Sequence, residues 1–137
     1  MKTLETGAID VLTAELESLG PWPPGVEPIS GSPVAAILEL SDDGHVATGI
    51  WECTPGSFPS KRVGCCELMT FFAGDATLID ADGTRHEIGP GVVRFVPDGW
   101  SGVWEIRETV RKTYATVRLP SAPRGSRAVA RTRDDRP

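Results

Sequence analysis

The stretch GVVRFVPDGWSGVWEIRETVRKTY, residues 91–114, decides the fold. An apolar strand over residues 92–96 ends at a Pro-Asp-Gly turn, a second segment alternates around Trp104, and a third begins at Val110. Proline and glycine between short, aromatic-rich segments of period two are typical of an antiparallel barrel or sandwich. The sequence therefore predicts an all-β domain.

The charge of the chain is unevenly distributed. Of its 137 residues, those from Pro120 onward include five arginines and two aspartates, a net charge of +3, whereas the whole chain carries −5. The remainder is therefore about −8, since −5 minus +3 is −8. An acidic body repels phosphate backbones, which disfavours nucleic acid as a partner.

Three further patterns bear on location. No apolar run approaches the ~20 residues that a bilayer span needs, and no signal peptide pattern opens the chain. The three cysteines, two of them adjacent, do not form the even framework of a secreted disulfide scaffold. We expect a cytoplasmic protein with no membrane partner.

The N-terminal residues predict a helix followed by an extended arm. Apolar side chains recur at helical spacing over residues 6–20, Thr6 can cap the start, and Gly20-Pro21 ends the pattern. The Pro-Trp-Pro-Pro-Gly segment that follows cannot be regular structure, so Trp22 is predicted to anchor this arm.

From Ile29 to Gly91 the pattern is that of strands separated by turns. Asp82-Gly83 between two alternating segments is a strong hairpin signal, and similar turns recur every 8 to 12 residues. About eight short strands favour a jelly roll or related barrel. We predict an arm over residues 1–30, a barrel over residues 31–119 and a flexible arginine-rich tail over residues 120–137.

Several of these turns and strands together resemble a known family. Glycine, proline and acidic residues recur in a fixed order at the ends of the strands: Gly49, Glu52, Pro55-Gly56, Glu67, Gly74, Asp82-Gly83, Gly91, Pro97-x-Gly99, Gly102-x-Trp104-Glu105 and Val110-Arg111-Lys112-x-Tyr114. Over residues 33–118 the chain resembles the cupin superfamily, and within it the small cupins similar to the ethanolamine-utilisation and ureidoglycine-aminohydrolase-type domains. The resemblance implies a double-stranded β-helix barrel, commonly a homodimer, with its site in the barrel mouth.

The metal ligands of that family are the main departure. The resemblance places a metal-binding glutamate at Glu67, two histidines at Lys61 and Val63 or at Ser60 and Arg62, and a third histidine at Gly102. The chain has two histidines in all, His45 and His86, so one subunit cannot supply three. We therefore predict no metal, and the absence of Gly-rich phosphate loops predicts no organic cofactor.

Strand alternation predicts which side chains line the barrel. Glu67, His45, Lys112 and Tyr114 are the candidate catalytic residues, because an inward-facing Glu and Lys require an ion pair or a ligand. The predicted substrate-binding residues are largely aromatic or apolar: Trp51, Cys65, Met69, Phe71, Trp104 and Lys61.

Each candidate has a structural alternative. His45 follows an Asp-Asp-Gly turn and suits a solvated position equally well, while Lys112 can face outward toward Glu105 or Glu108. Cysteines of this kind are ordinarily small core residues, although Cys65 with Glu67 and His45 leaves a metal-assisted site open.

These residues favour a metal-independent cupin enzyme acting on a small polar metabolite. Acid–base chemistry such as dehydration, isomerisation or epimerisation is what the side chains can perform. Two alternatives stay open: a non-catalytic small-molecule binding or sensing barrel, and a metal-assisted enzyme using Glu67 with cysteine or histidine.

Overall fold

A computed structural model describes residues 7–120 of the chain. Within this range there are nine β-strands and no helix. The strands are β1 Glu17–Ser18, β2 Ser30–Gly31, β3 Ala35–Asp42, β4 Val46–Cys53, β5 Gly56–Lys61, β6 Cys65–Asp80, β7 Arg85–Ile88, β8 Val93–Val96 and β9 Ser101–Arg118. The predicted all-β jelly roll is confirmed.

Strand β9 is the centre of the sheet. Its first half pairs antiparallel with β5, its second half with β4, and β6 pairs with it along both halves. β8 and β7 extend the sheet from the first and second halves of β6, and β3 lies beyond β4. The two long strands, β6 and β9, therefore each pair with different strands along their first and second halves.

The expectation of about eight short strands was wrong at these two long elements. The sequence predicted separate strands on either side of Gly74 and on either side of residues 107–109, but each pair is continuous. Register shifts between Phe71 and Ala76 bend β6 without ending it. Gly74 allows the bend, because its φ is +104° and a Cβ there would lie 2.4 Å from the carbonyl oxygen of Thr109.

Aromatic side chains fill the space between the layers. Phe58, Phe71 and Trp104 are buried, and the rings of Phe58 and Trp104 stack with centroids 6.0 Å apart. Leu78 and Val110 complete the apolar core around them. Burial of side chains of this size is the main favourable contribution to folding.

The predicted N-terminal helix is absent over residues 7–20, and that prediction was wrong. One turn forms, in which the Asp10 carboxylate accepts from the backbone N–H of Leu12 at 2.9 Å, and the chain then extends into β1 beside β3. The side chains of the supposed helical stripe, such as Leu12 and Leu19, are about half exposed. A short helix without a buried face is marginal in water, so the edge of β3 competes with it successfully.

Arg111 holds this N-terminal segment against the barrel. Its guanidinium donates to the carbonyl oxygens of Val11 at 3.0 Å and Ala14 at 2.9 Å, and also to the Glu52 carboxylate. Further along, Trp22 donates from its indole N–H to the Pro33 carbonyl at 2.9 Å, so the predicted anchor is confirmed. The arm thus joins the barrel through β1, β2 and these contacts.

The part of the predicted arginine-rich tail over residues 121–137 lies outside the described residues.

Leu68, Val93 and Phe95 form an apolar patch on the outer face of β6 and β8, exposed by 47%, 61% and 54%. A patch of this kind is compatible with the homodimer, which stays a prediction.

We predict that Arg111→Ala destabilises the fold by about 2 kcal/mol, because four charge-assisted hydrogen bonds from a partly buried guanidinium are lost. Urea unfolding of the variant and wild type measures this. Arg85→Ala is the matched control, since Arg85 has one exposed ion pair, to Glu105. Equal midpoints for Arg111→Ala and wild type would show that the arm does not depend on this residue.

Candidate functional site

The candidate site is a cavity of about 490 Å³ at the mouth of the barrel. Aromatic and aliphatic side chains make up most of its wall, and the charged side chains that line it are Lys61, Arg62, Glu67 and Lys112. A mostly apolar concave space with a few placed polar groups is the usual form of a small-molecule site.

Strand register places the polar groups at the base of the cavity. Trp51 on β4 pairs with Lys112 on β9, and Glu67 on β6 pairs with Thr116 on the same strand β9. Because residues two apart share a face, Lys112, Tyr114 and Thr116 all line the cavity. The long side chain of Lys112 spans the remaining distance along β9 to reach Glu67.

The carboxylate of Glu67 is held by two cations. Lys112 Nζ donates to Oε2 at 2.8 Å, and Arg62 Nε donates to Oε1 at 2.7 Å, with a second contact from Arg62 Nη2 to the same oxygen. The side chains of Glu67 and Lys112 are each 3% exposed, whereas that of Arg62 is 26% exposed. We call these three residues the charge cluster.

The turn over residues 97–100 positions Arg62. The backbone N–H of Arg62 donates to the Trp100 carbonyl at 2.8 Å, and the Gly99 N–H donates to the Arg62 carbonyl at 2.9 Å. Asp98 also accepts from the N–H of Gly64 at 2.7 Å. The Pro-Asp-Gly turn therefore fixes the loop after β5 so that Arg62 reaches Glu67.

The charge cluster shifts the pKa values of both buried members. Burial alone raises the pKa of Glu67, but the charges and hydrogen bonds of Lys112 and Arg62 outweigh it and hold that pKa below its ordinary value of 4.5. Burial lowers the pKa of Lys112 below its ordinary 10.5, and Glu67 opposes this only in part. Glu67 is consequently an ionised counter-ion near neutral pH, and Lys112 is the group that loses its proton more easily than usual.

Two indole rings enclose the ammonium of Lys112. Its Nζ lies 4.7 Å from the ring centroid of Trp51 and 5.1 Å from that of Trp104. The negative faces of the rings attract the cation and partly replace its lost hydration. These contacts fix the position of the ammonium at the base of the cavity.

Tyr114 supplies a neutral hydroxyl. Burial raises its pKa to about 12, and the nearby carboxylate of Glu39 adds to the shift. The ring lies across Gly49, where a Cβ would come 2.6 Å from the Tyr114 hydroxyl and 2.5 Å from the Leu38 carbonyl oxygen. Gly49 is therefore required for the position of Tyr114, which remains a hydrogen-bond donor throughout the ordinary pH range.

The residues present do not fit a cupin metal ion. Of the two registers considered for the histidine pair, Ser60 and Arg62 line the cavity, whereas Val63 is 78% exposed. Arg62 is a cation with no acceptor atom, so it cannot bind a metal, and it already binds the Glu67 carboxylate that a metal would need. A Cβ at Gly102 would lie 2.2 Å from the Ile79 carbonyl oxygen, which leaves no room for a ligand there. Residues 7–120 also contain no group of three or more His, Cys, Asp or Glu able to hold a metal.

The structure brings together most of the predicted site residues. The cavity is lined by the following members of the predicted set: Glu67, Lys112, Tyr114, Trp51, Trp104 and Lys61. Their catalytic or binding roles stay predictions. Met69 and Phe71 share the inward face of β6 but lie in the packed core, 2% and 0% exposed, and do not line the cavity.

Two other predicted site residues lie elsewhere. His45 is exposed in a turn where its backbone N–H donates to the Asp43 carboxylate at 2.8 Å, so the solvated alternative describes it. Cys65 begins β6 opposite Arg118 and does not line the cavity. Because neither the turn before β4 nor the first residue of β6 lines the cavity, we do not retain His45 and Cys65 as site residues.

Sequence reasoning missed Arg62, Phe58 and Trp22. Phe58 and Trp22 form part of the cavity wall, with ring centroids 4.6 Å apart. Alternation along β5 could have identified Phe58, whose partner across the strands is Trp104. Nothing local could have identified Arg62, because its direction depends on a turn that lies far away in the sequence.

Comparison with known proteins agrees with this architecture. The sequence matches the profile of the EutQ-like cupin domain over residues 40–114, more than half of the chain. No curated protein matches it. No helix within residues 7–120 is long and apolar enough to cross a membrane.

Solved structures share the fold. The Clostridium difficile EutQ protein is 20% identical with a TM-score of 0.57, covering 64% of this chain and 70% of its own. A DUF861-family protein of unknown function from Pseudomonas syringae pv. tomato is 29% identical with a TM-score of 0.69, covering 82% and 49%. Ectoine synthase from P. lautus is 12% identical with a TM-score of 0.59, covering 69% and 70%.

We predict that Glu67→Gln lowers the free energy of unfolding by about 3 kcal/mol at pH 7, because two cations lose their buried counter-ion. Since the folded pKa of Glu67 lies below 4.5, its stabilising effect is present above that pH and is lost as the pH falls. The difference between variant and wild type should therefore shrink below pH 4.5 in urea unfolding experiments.

Glu105→Gln is the matched control, since Glu105 has an exposed ion pair with Arg85. A Glu67→Gln variant that is as stable as wild type at pH 7 would contradict the prediction. A difference that stays constant through the acid range would also contradict it.

Proposed function

The chain belongs to the EutQ-like cupin domain family, and on that premise we propose that it is a metal-independent enzyme that binds a small polar metabolite in the barrel mouth and transfers a proton. The observation that carries this proposal is Lys112. It is a buried lysine with a lowered pKa, hydrogen-bonded to a carboxylate and facing a small-molecule cavity. Groups with shifted pKa values in a cleft are typical of acid–base sites.

Lys112 is the proton-transfer group in this proposal. In its neutral form the amine takes a proton from a carbon or hydroxyl group of the substrate, and the resulting ammonium is stabilised by Glu67 at 2.8 Å. Glu67 itself is a poor base, because Arg62 and Lys112 keep its pKa low. Its role is to orient Lys112 and balance its charge.

Tyr114 and Arg62 complement this proton transfer. Removing a proton next to a carbonyl group places negative charge on the carbonyl oxygen, which a hydroxyl donor stabilises. The hydroxyl of Tyr114 remains protonated because its pKa is about 12. The positive charge of Arg62 at the same end of the cavity favours the developing anion. Isomerisation, epimerisation and dehydration all begin with a step of this kind.

A second candidate function is non-catalytic ligand binding. The observation that favours it is the 3% exposure of Lys112, because a buried ion held by a counter-ion can have the structural role of shaping a pocket. Related folds include ectoine synthase, whose name denotes an enzyme, and a DUF861-family protein of unknown function. Turnover, rather than affinity, therefore separates the two candidates.

The cytoplasmic location stays a prediction. Cys53, Cys65 and Cys66 are all free thiols in the structure, which supports a reducing compartment. The pKa of the Cys53 thiol is raised to about 12, mainly by burial, so this residue is an unreactive core side chain.

We predict that Lys112→Met abolishes proton transfer while keeping the aliphatic bulk of the side chain. The assay incubates the protein in D₂O with a mixture of small carbonyl metabolites and follows deuterium incorporation at carbon by NMR. Loss of the general acid–base group should reduce the exchange rate about 10²- to 10⁴-fold.

Arg85→Met is the matched control, because it removes one positive charge from an exposed ion pair outside the cavity. Circular dichroism and thermal unfolding establish that both variants are folded. Undiminished exchange in folded Lys112→Met would exclude Lys112 as the proton-transfer group. No exchange in the wild type with any metabolite that binds would favour the binding function instead.

A further inference from the structure

The charge of the cavity is opposite in sign to the net charge of residues 7–120 taken together. Residues 7–120 include eight Lys and Arg against sixteen Asp and Glu, a net charge of −8. The cavity, in contrast, is lined by three cations, Lys61, Arg62 and Lys112, and by one carboxylate, Glu67, a net charge of +2. A concave site of one sign within a low-dielectric wall concentrates ligands of the other sign.

Hydrogen-bond donors in the cavity also exceed the groups that accept from them. Arg62 has five N–H donors, of which two contact Glu67 and one contacts the Lys61 carbonyl, which leaves two. Lys112 has three donors and, within residues 7–120, uses one of them, on Glu67. The hydroxyl of Tyr114, which stays protonated, also lines the cavity and adds another donor.

Glu67 cannot neutralise this excess. One carboxylate faces the guanidinium of Arg62 and the amine of Lys112, so the charge cluster has a net charge of +1 whenever Lys112 is protonated. An uncompensated charge at the base of an apolar cavity is costly, and a ligand anion removes that cost. The positive charge of the cluster is therefore balanced only when a second anion binds beside Glu67.

We propose that the substrate of this site is a small organic carboxylate whose carboxylate group binds the free N–H donors of Arg62, beside Lys112, and whose apolar or planar part lies against the aromatic wall. This inference rests on the proposed function, because it assumes that substrate enters the same cavity. The free donors of Arg62 have the planar spacing that suits a carboxylate. Trp22, Trp51 and Phe58 supply the surface for the rest of the molecule.

The wall chemistry favours a carboxylate over a phosphate ester. Phosphate sites ordinarily use backbone N–H groups at a helix N-terminus or in a glycine-rich loop. Residues 7–120 contain no helix, and the cavity is lined by strand side chains. A single guanidinium with one ammonium and a hydroxyl matches the smaller charge of a carboxylate.

A series of probes of equal shape and different charge tests this inference: benzoate, benzamide and benzamidine. Binding to the full chain is measured at equilibrium by tryptophan fluorescence and isothermal titration calorimetry at low and at physiological salt. We expect benzoate to bind at least about tenfold more tightly than benzamide, with benzamidine weakest, and the benzoate affinity to fall with salt.

Lys61→Gln and Arg85→Gln provide a matched pair of variants. Both remove one exposed positive charge, but only Lys61 lines the cavity. Lys61→Gln should weaken benzoate binding several-fold and leave benzamide unchanged, whereas Arg85→Gln should alter neither. Because Lys61 lies at the rim, this comparison does not depend on disturbing the buried cluster.

The inference is overturned if benzamide or benzamidine binds as tightly as benzoate, or if no benzoate binding occurs at millimolar concentration. These outcomes are independent of turnover. Selective binding of benzoate without proton exchange on any substrate would keep the carboxylate assignment and remove the enzyme proposal. Proton exchange that depends on Lys112 but prefers a neutral substrate would keep the enzyme proposal and remove the carboxylate assignment.

Discussion

The paired contacts of Glu67 with Lys112 and Arg62 determine what this barrel can bind. A carboxylate and an ammonium, each 3% exposed, are stable in an apolar interior only because they compensate each other. The same pairing lowers the pKa of Glu67 and leaves Lys112 as the group most easily deprotonated. The chemistry of the cavity therefore follows from one buried ion pair and the guanidinium that shares its carboxylate.

The fold brings these groups together through its two longest strands. β6 provides Glu67, and β9 provides Lys112 and Tyr114, while β4 adds Trp51 from the other side of β9. Arg62 comes from a loop that is fixed to the turn over residues 97–100. At the positions where the cupin resemblance would place histidines, this chain has Lys61 and Val63 or Ser60 and Arg62, together with Gly102. The positive charge that lines the cavity comes from Lys61, Arg62 and Lys112.

The sequence predicted those parts of the structure that depend on local signals. Turns marked by glycine and proline, together with alternation on β9, identified the strands and placed Lys112 and Tyr114 on one face. The helix over residues 6–20 failed because long-range contacts compete with it: the segment pairs with the edge of β3, and Arg111, about 100 positions away, binds the carbonyl groups of Val11 and Ala14. Arg62 was missed for the same reason, since long-range hydrogen bonds set its direction. The sequence could not exclude His45 and Cys65 from the site, because alternation along a strand does not show which of its residues the cavity reaches.

The central claim is that Glu67 is ionised between two cations while Lys112 has a lowered pKa. Carbon-detected NMR titration of the Glu67 Cδ and Lys112 Cε resonances in the folded protein measures this directly. We expect Glu67 to titrate below 4.5 and Lys112 to titrate below 10.5. A Glu67 carboxyl that titrates above 4.5, or a Lys112 that keeps its ordinary pKa, would contradict it.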